Sequence, residues 1–450
     1  MKKTIRHRAV DILSEVGKSR AFAGDLLDTA LEERHLSGTA DGRLLTHLVY
    51  GVLRMQGQLD RILAAFYRGN YDGMEEDIRN ILRVGLYQLL FSDRLPAFAV
   101  VDEAVKTAKR KSPAAGGLVN AVLRSYLRNP GGASYPCRES HPDEYLAAFH
   151  SHPLWLVKRW RDAFGTTETE ALCRADNDVP PVTLRANTLK ISRDDLAQTL
   201  ARADFPSEPG RYSPDGLILS DPPRPVQKTT FFSEGLFRLQ DEAAQLAGYL
   251  VGPQAGESIL DACAGSGGKT AHLAALMENR GRIVAMDRDK TKIARLRRDM
   301  LRLGVSIVET VEADLNGPLS AAWREKFDCV LVDAPCSGTG TLRRNPEIRW
   351  RLSASEPERL AEIQLAILHN AAAAVRKGGR LVYCTCSLLA CENDGVIRRF
   401  LKDHPQFSVA PPSASVPEGL QDSRGFFRTY PHRHGLDGFF GSVLLGLLPH

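Results

Sequence analysis

The sequence contains no long hydrophobic run and no signal-peptide pattern. No apolar stretch approaches the roughly 20 residues that a helix needs to cross a bilayer. The start, Met-Lys-Lys-Thr-Ile-Arg-His-Arg, also lacks the uncharged stretch of a signal peptide. We therefore expect a cytoplasmic protein with no membrane partner.

The sequence also lacks the paired Cys-x-x-Cys motifs that are typical of structural zinc sites. Its eight cysteines occur mostly in the second half of the chain, and their spacing indicates no disulfide framework. They are Cys137, Cys173, Cys263, Cys329, Cys336, Cys384, Cys386 and Cys391. We expect no bound metal, and thiols that are reduced and free to react.

A strong charge of one sign is missing from the chain as a whole, whose formal net charge is +5 over 450 residues. Residues 1–128 contain 20 Lys and Arg against 15 Asp and Glu, while the rest of the chain holds 39 of each class. The length is typical of two or three domains. A basic module at the N-terminus suggests an anionic polymer such as nucleic acid as partner, although a soluble surface explains the same charge.

Residues 6–128 show helical periodicity throughout, with apolar residues three and four positions apart and short breaks rich in Gly, Asn and Asp. This pattern predicts a compact all-α bundle. Its polar faces carry a basic set that fits either a nucleic-acid surface or an ordinary solvated face. The set consists of Lys106, Lys109, Arg110, Lys111, Arg124 and Arg128.

Three segments of this bundle, residues 79–90, 100–105 and 118–124, resemble the NusB-type RNA-binding bundle. The resemblance covers about residues 4–128. It implies that the basic helix faces contact RNA.

Residues 129–140 are mostly turn formers without periodicity, which predicts a linker. Beyond it, residues 180–190 alternate like a strand, a helix is expected from Ser192, and another strand is expected at residues 217–219. We predict a small α+β subdomain over about residues 150–225. The composition does not indicate its function, and a structural spacer is an equally good interpretation.

Two apolar strands end in groups that can do chemistry. Residues 381–387 read Leu-Val-Tyr-Cys-Thr-Cys-Ser, and residues 327–340 end in Asp333 followed by Cys336 in a turn rich in Pro and Gly. A parallel sheet presents its ligand site at the carboxyl ends of its strands, so Asp333, Cys336 and Cys386 are candidates. A lone cysteine in an apolar run is more often an inert core residue.

A glycine turn joins a predicted strand at residues 258–260 to a helix near Ala271, as in sites where backbone approaches a ligand. A P-loop is excluded because Cys263 stands where that motif needs its first glycine. The next strand ends in Asp287, a position suited to ribose hydroxyls. Glu312 and Asp314 follow a third strand and could reach an adenine. Singly, each acid is more often a surface charge, but together they suit a nucleoside cofactor without pyrophosphate.

The combination of these motifs resembles the RNA cytosine-5 methyltransferases of the Nol/Nop/Sun family. With the NusB-like start, it is most similar to the bacterial Sun/Fmu branch, which acts on 16S ribosomal RNA. The resemblance implies S-adenosyl-L-methionine as cofactor, bound by the glycine turn and three acids. These residues are Cys263, Ala264, Gly265, Ser266, Gly267, Gly268, Lys269, Asp287, Asp314 and Asp333.

The sequence departs from the family at Gly265-Ser266, where the family usually has Ala-Pro. We expect a more flexible loop there, with a changed cofactor affinity and an unchanged role. Three further segments match family motifs: residues 185–190, 240–243 and 437–440.

The resemblance also implies the catalytic roles. Cytosine C5 is a weak nucleophile, so a thiolate must first add to C6, and the family's pattern gives this role to Cys386. Asp333 would stabilise the ring near N3 with Lys269 as its ionic partner, and Cys336 would assist release. We expect Cys386 to have a depressed pKa or a nearby base. Arg343 and Arg344 either line the path of an unstacked base or are ordinary surface charges.

The expected fold is an α/β Rossmann-like methyltransferase domain at residues 231–450, an all-α NusB-like domain at 1–130, and a linker with a small α+β subdomain at 131–230. We expect a monomer that acts on 16S rRNA. One alternative is a non-catalytic RNA-binding assembly factor. Another is a DNA cytosine-5 methyltransferase, which would use Cys336 as its nucleophile.

Overall fold

The computed structural model describes residues 4–19, 21–92 and 95–446, and these form two compact units. The first unit holds the described residues up to 179 together with residues 342–352. The second holds residues 180–341 and those from 353 onward. Residues 1 and 450, where the predicted domains begin and end, lie outside the described residues. Within the described ranges, no helix is both long enough and apolar enough to span a membrane.

The first unit is helical, as the periodicity predicted, and apolar helix faces close around one core that includes Leu13, Leu48, Leu82 and Leu123. Helix ends follow from capping: the Ser112 hydroxyl, for example, accepts a hydrogen bond from the Ala115 N–H at 3.1 Å. The helices up to residue 179 are α1 (Ile5–Ser19), α2 (Ala23–Glu33), α3 (Ala40–Phe66), α4 (Glu76–Phe91), α5 (Ala97–Lys109), α6 (Pro113–Arg128), α7 (Pro142–Phe149), α8 (Leu154–Phe164) and α9 (Thr166–Ala175).

This unit extends beyond the boundary predicted near residue 130. Helix α7 packs against α3, and α8 and α9 pack with α7. The stretch predicted as a linker is itself held to α3, because the Arg61 guanidinium donates to the Ser134 carbonyl at 2.9 and 2.7 Å. Turn-forming composition indicates where a chain bends but not whether the bend packs against a neighbour.

Residues 342–352 belong to the first unit although they lie far along the chain. The buried Arg349 guanidinium donates to the carbonyls of Arg54 at 3.2 Å, Ser151 at 3.0 Å and Asp176 at 3.1 Å. The Trp350 indole N–H donates to the Leu53 carbonyl at 2.8 Å. One side chain therefore joins α3, the α7–α8 connection and the end of α9.

The second unit begins with a small antiparallel sheet of order β2-β3-β1-β4. Helix and sheet share a core that includes Leu184, Leu196, Phe205, Leu217 and Phe237, so the predicted α+β subdomain is present, with its first strand at residue 182. Its elements and the helix that follows are β1 (Val182–Ala186), α10 (Arg193–Ala201), β2 (Ser207–Pro209), β3 (Gly216–Leu219), α11 (Thr230–Ser233), β4 (Phe237–Leu239) and α12 (Glu242–Val251).

A larger sheet of order β7-β6-β5-β8-β9-β12-β10 follows, with β11 paired to β12. Strands β5 to β9 pair in parallel, and β12 is antiparallel to β9 and β10. The helices and strands from residue 258 onward, of which α15 belongs to the first unit, are β5 (Ser258–Asp261), α13 (Gly268–Leu276), β6 (Arg282–Asp287), α14 (Lys290–Leu303), β7 (Val308–Glu312), β8 (Phe327–Asp333), α15 (Ile348–Arg351), α16 (Glu356–Ala372), β9 (Val375–Thr385), α17 (Asp394–Asp403), β10 (Phe407–Ala410), β11 (Phe427–Thr429), α18 (Pro431–His434) and β12 (Phe439–Gly446).

The central strands are apolar at successive positions because both faces of this sheet are covered. Ile259 and Leu331 pack in one core, whereas their neighbours Leu260 and Val330 pack in the other. The chain proceeds from β5 to β6 and β7 on one side, and then returns to β8 and β9 on the other. The change of direction lies between β5 and β8, and a ligand site is expected at the carboxyl ends of these strands.

Candidate active site

Three neighbouring parallel strands end in carboxylates at one edge of the larger sheet. Strand β5 ends at Asp261, β6 at Asp287 and β8 at Asp333. Strand β5 pairs with both of the others, so the predicted Asp287 and Asp333 flank an acid, Asp261, that the sequence analysis did not single out.

The predicted glycine turn joins β5 to α13 and lies against β6. Its Ala264 N–H donates to the Met286 carbonyl at 2.8 Å, and the Gly265 N–H donates to Asp287 Oδ2 at 2.9 Å. Gly265 and Gly267 adopt φ values of +55° and +84°, in the region that favours glycine. The turn therefore presents backbone at the same edge where the acids lie.

Cys263, Asp287 and Asp314, all predicted to bind the cofactor, lie near this turn. Burial raises the pKa of the Cys263 thiol, and the charges of Asp261, Asp333, Asp287 and Asp314 raise it further. Asp314 is half exposed and lies 4.0 Å from Arg288. The glycine turn and all four carboxylates therefore share one location.

Asp261 has the most restricted environment of these acids. It is fully buried, the Thr270 hydroxyl donates to its Oδ2 at 2.7 Å, and its Oδ1 has no hydrogen-bond partner. Burial raises the pKa of Asp261 to about 7. Its position at a strand end before a glycine turn was the signal that could have identified it.

Lys269 and Asp333 form an ion pair, with Lys269 Nζ donating to Asp333 Oδ2 at 2.6 Å. The ammonium also lies 5.1 Å from the centre of the Phe439 ring, a cation–π contact. Burial lowers the pKa of Lys269, but Asp333 more than offsets this effect, and the pKa is raised above its ordinary value. The site therefore holds a charged lysine in contact with an acid at the end of β8.

The two candidate thiols face each other, with 3.3 Å between Cys336 Sγ and Cys386 Sγ. Cys386 directly follows β9, and Cys336 lies in the loop after β8. The hydrogen bond that the Cys336 thiol donates to Cys386 raises the pKa of Cys336 well above its ordinary value, and burial raises it further. Cys386 also contributes to the raised pKa of Lys269. One sulfur can act as a nucleophile while the other keeps its proton.

Residues of the motif at 185–190 form hydrogen bonds with the end of the glycine turn. The buried Arg185 guanidinium donates to the Gly268 carbonyl at 2.8 Å and to Gln240 Oε1 at 2.5 Å. The Asn187 amide donates to the carbonyls of Gly235 and Leu303, each at 2.8 Å. These residues attach the smaller sheet to the glycine turn and to α14.

Other basic residues named in the sequence analysis belong to the first unit. Arg343 belongs to the first unit and is buried, so it offers little surface to RNA. In the helical bundle, Lys106 pairs with Asp102 at 2.7 Å and Lys111 pairs with Asp77. These acids offset part of the positive charge expected on the bundle surface.

Comparison with known proteins agrees with this architecture. Residues 248–445 match the model of the 16S rRNA methyltransferase RsmB/F family. Residues 3–128 match the NusB family, and residues 152–227 match the ferredoxin-like domain of RsmF/B-like methyltransferases.

Full-length relatives show the same arrangement. The chain is 37% identical over 448 residues to a probable ribosomal RNA small subunit methyltransferase B from Bacillus subtilis, covering 98% of each chain. It is 36% identical to the protein of the same description from Synechocystis, covering 97% of this chain and 98% of the relative. The crystal structure of PH0851 is similar with a TM-score of 0.84 at 29% identity, covering 99% of each chain. The protein is therefore an enzyme that belongs to the RsmB/F family of 16S rRNA methyltransferases.

Proposed function

We propose that this enzyme transfers a methyl group from S-adenosyl-L-methionine to C5 of a cytosine in 16S rRNA, through a covalent bond between Cys386 and C6. The observation that carries the proposal is the 3.3 Å separation of the Cys336 and Cys386 sulfur atoms. Methylation of a nucleophilic nitrogen or oxygen needs no thiol, whereas the weakly nucleophilic C5 needs prior attack at C6.

The residues at the glycine turn fit the proposed cofactor. A Cβ placed on Gly265 would meet nothing within 4 Å, which leaves space beside the turn. The buried Asp261 Oδ1 has no partner and suits the ammonium group of the methionine moiety. Asp287, and Asp314 beyond it, would hold ribose and adenine. When bound, the cofactor supplies an electrophilic methyl group.

The first step assigned to the protein is nucleophilic attack. The Cys386 thiolate adds to C6, the C5–C6 double bond opens, and electron density accumulates on C5 and N3. We assign Asp333 to N3, where it passes on a proton that it accepts from the Lys269 ammonium, so that the negative charge on the ring is neutralised. The ion pair is preformed at 2.6 Å, so little reorganisation is needed as the ring becomes charged.

Release reverses the addition. A water molecule takes the C5 proton, the electrons of the C5–H bond re-form the double bond, and the electrons of the C6–S bond return to the Cys386 sulfur, to which the Cys336 thiol donates a hydrogen bond. Cys336 is assigned to assist this step, because its thiol lies within hydrogen-bond reach of the departing sulfur. Its raised pKa means that it carries a proton at neutral pH.

The test is covalent trapping with 16S rRNA that contains 5-fluorocytosine. Fluorine at C5 cannot leave as a proton does, so the enzyme–RNA adduct accumulates. We expect Cys386→Ala to abolish the adduct and Cys336→Ala to retain it, measured as a shifted band on a denaturing gel. Cys384→Ala is the matched control, because this thiol is buried in the same strand.

Each alternative predicts a different pattern. Loss of the adduct in Cys336→Ala but not in Cys386→Ala would exchange the thiol roles and restore the DNA-type mechanism. No adduct with any protein, together with no transfer of labelled methyl to RNA, would favour the non-catalytic assembly factor. Nucleoside mass spectrometry of the product distinguishes 5-methylcytosine from other methylated bases.

A further inference from the structure

Glu392 is a completely buried carboxylate that the proposed reaction does not use. It follows β9 and precedes α17, six positions beyond Cys386. Its Oε1 accepts hydrogen bonds from the Ser337 N–H at 2.8 Å and from the Gln364 amide at 2.9 Å. Its Oε2 accepts from the hydroxyls of Ser337 and Ser387, each at 2.5 Å. Both oxygens are therefore occupied.

Two of the residues that donate to Glu392 lie next to the two cysteines in sequence. Ser337 directly follows Cys336, and Ser387 directly follows Cys386. A single side chain is thus hydrogen-bonded to the neighbour of each thiol. Hydrogen bonds to an ionised carboxylate are stronger than bonds between neutral groups, and no water competes with them at a fully buried position.

Further bonds extend the same connection. The Gln364 amide also donates to the Pro335 carbonyl at 3.0 Å. The Gly340 N–H donates to the Cys386 carbonyl at 2.8 Å, which joins the far end of the Cys336 loop to β9. The loop is therefore attached to α16 before the thiol and to the end of β9 after it, and Glu392 supplies the attachment nearest to the thiol.

We propose that Glu392 is a positioning residue that holds the Cys336 loop against the end of β9 and keeps the two sulfur atoms within hydrogen-bond reach. The consequence for catalysis rests on the proposed function: Glu392 controls how fast the Cys386–C6 bond is released, and it does so through Cys336. It touches neither RNA nor cofactor in this role.

Its charge has a second effect on the thiol pair. After the hydrogen bond to Cys386, burial and the Cys386 charge, Glu392 is a further cause of the raised pKa of Cys336. A negative charge beside Cys336 keeps the proton on that sulfur. The position and the protonation of Cys336 therefore depend on the same carboxylate.

The test compares Glu392→Ala with Glu392→Gln, and Glu362→Ala serves as a control because Glu362 forms an exposed pair with Arg399. We expect Glu392→Ala to form the 5-fluorocytosine adduct within a few-fold of the wild-type rate, since Cys386 remains. With ordinary cytosine RNA, we expect turnover by Glu392→Ala to fall about tenfold or more, because Cys336 is no longer held where it can donate to the departing sulfur. The covalent complex should then accumulate. Glu392→Gln gives a smaller defect, because its amide still bonds both serines.

A double-mutant comparison separates positioning from general damage. If Glu392 acts through Cys336, adding Glu392→Ala to Cys336→Ala slows release no further. Equal losses of trapping and turnover, or an additional loss in the Cys336→Ala background, would overturn the proposal. Thermal unfolding of each variant identifies proteins that fail to fold. If Glu392→Ala does not fold, the same comparison is made with Glu392→Gln.

A chemical measurement is independent of the reaction. Diamide takes two electrons and two protons from a pair of thiols to form a disulfide, and adjacent sulfurs close fastest. We expect Cys336 and Cys386 to be joined more slowly in Glu392→Ala than in wild type, measured by peptide mass spectrometry. Equal rates would refute the positioning role even if the enzyme modified a different atom of RNA.

Discussion

At the residue scale, the site depends on how differently its carboxylates are surrounded. Asp333 has a lysine partner at 2.6 Å, Glu392 has four donors, and Asp261 has one donor and an unpaired oxygen. Burial without sufficient partners disfavours the charged form of an acid. Burial raises the pKa of Asp261 to about 7, and this makes folding sensitive to pH.

The pH dependence follows from the two pKa values of Asp261, about 7 in the folded protein and about 3.9 in an unfolded chain. Between these values the folded state holds a proton that the unfolded state has released. The free energy of unfolding of the wild type therefore falls, relative to Asp261→Asn, as the pH rises from about 4 to about 7. The expected change is about 3 kcal/mol.

Urea denaturation of both proteins near pH 4 and near pH 7.5 measures this difference. Other titrating groups contribute equally to the two proteins and cancel. A difference that stays constant across the range would mean that Asp261 is ionised in the folded state throughout, and would contradict its isolation at the end of β5.

At the element scale, the glycine turn shows that two residues with the same backbone conformation serve different purposes. Gly265 and Gly267 both have positive φ values. A Cβ on Gly265 would meet open space, whereas one on Gly267 would lie 2.8 Å from Leu296 Cγ and 3.0 Å from Met300 Cε. Gly267 therefore permits α13 and α14 to pack closely, while Gly265 leaves room for a ligand.

The two alanine variants should differ accordingly. We expect Gly265→Ala to cost about 1 kcal/mol, the backbone cost alone, and Gly267→Ala to cost about 2–4 kcal/mol because crowding is added. Chemical denaturation gives the two free energies. Equal costs in the two variants would contradict the assigned roles.

The strands of this site could be predicted from sequence because a strand covered on both faces is apolar at every position. Residues 329–332 and 381–384 are of this kind, and the polar groups that follow them mark the ligand edge. Glu392 could not be predicted in the same way. It lies in the polar run Cys-Glu-Asn-Asp, which reads as an exposed helix start, and only the fold brings Ser337 and Ser387 to its carboxylate.

At the scale of the whole molecule, the helical start and the α/β end of the chain were predictable from periodicity, but the division into units was not. Residues 342–352 lie between two elements of the α/β unit in sequence and yet pack in the helical one. From residue type alone, Arg349 would be expected at the surface and Trp350 in a core. Nothing in their local pattern indicates partners some 170 to 300 residues earlier in the chain.

Arg349 should be essential to the first unit. Arg349→Met removes the buried hydrogen bonds from the guanidinium to the carbonyls of Arg54, Ser151 and Asp176, at a cost of about 3 kcal/mol or more. Hydrogen exchange should accelerate in peptides that contain these three residues and stay unchanged in α13.

Arg376→Met is the matched control, since Arg376 is exposed and pairs with Asp328 at 2.6 Å. A surface pair contributes less than about 1 kcal/mol, so this variant should exchange like the wild type. If Arg349→Met also exchanged like the wild type, residues 342–352 would not stabilise the first unit.

The late position of residues 342–352 has a consequence for synthesis. A ribosome adds about 5–20 residues per second, so residue 352 is made roughly 10–35 s after residue 179. During that interval the nascent helices exist without the guanidinium that later joins α3 to the end of α9. The part of the protein that is translated first is therefore completed only when about three quarters of the polypeptide has been made.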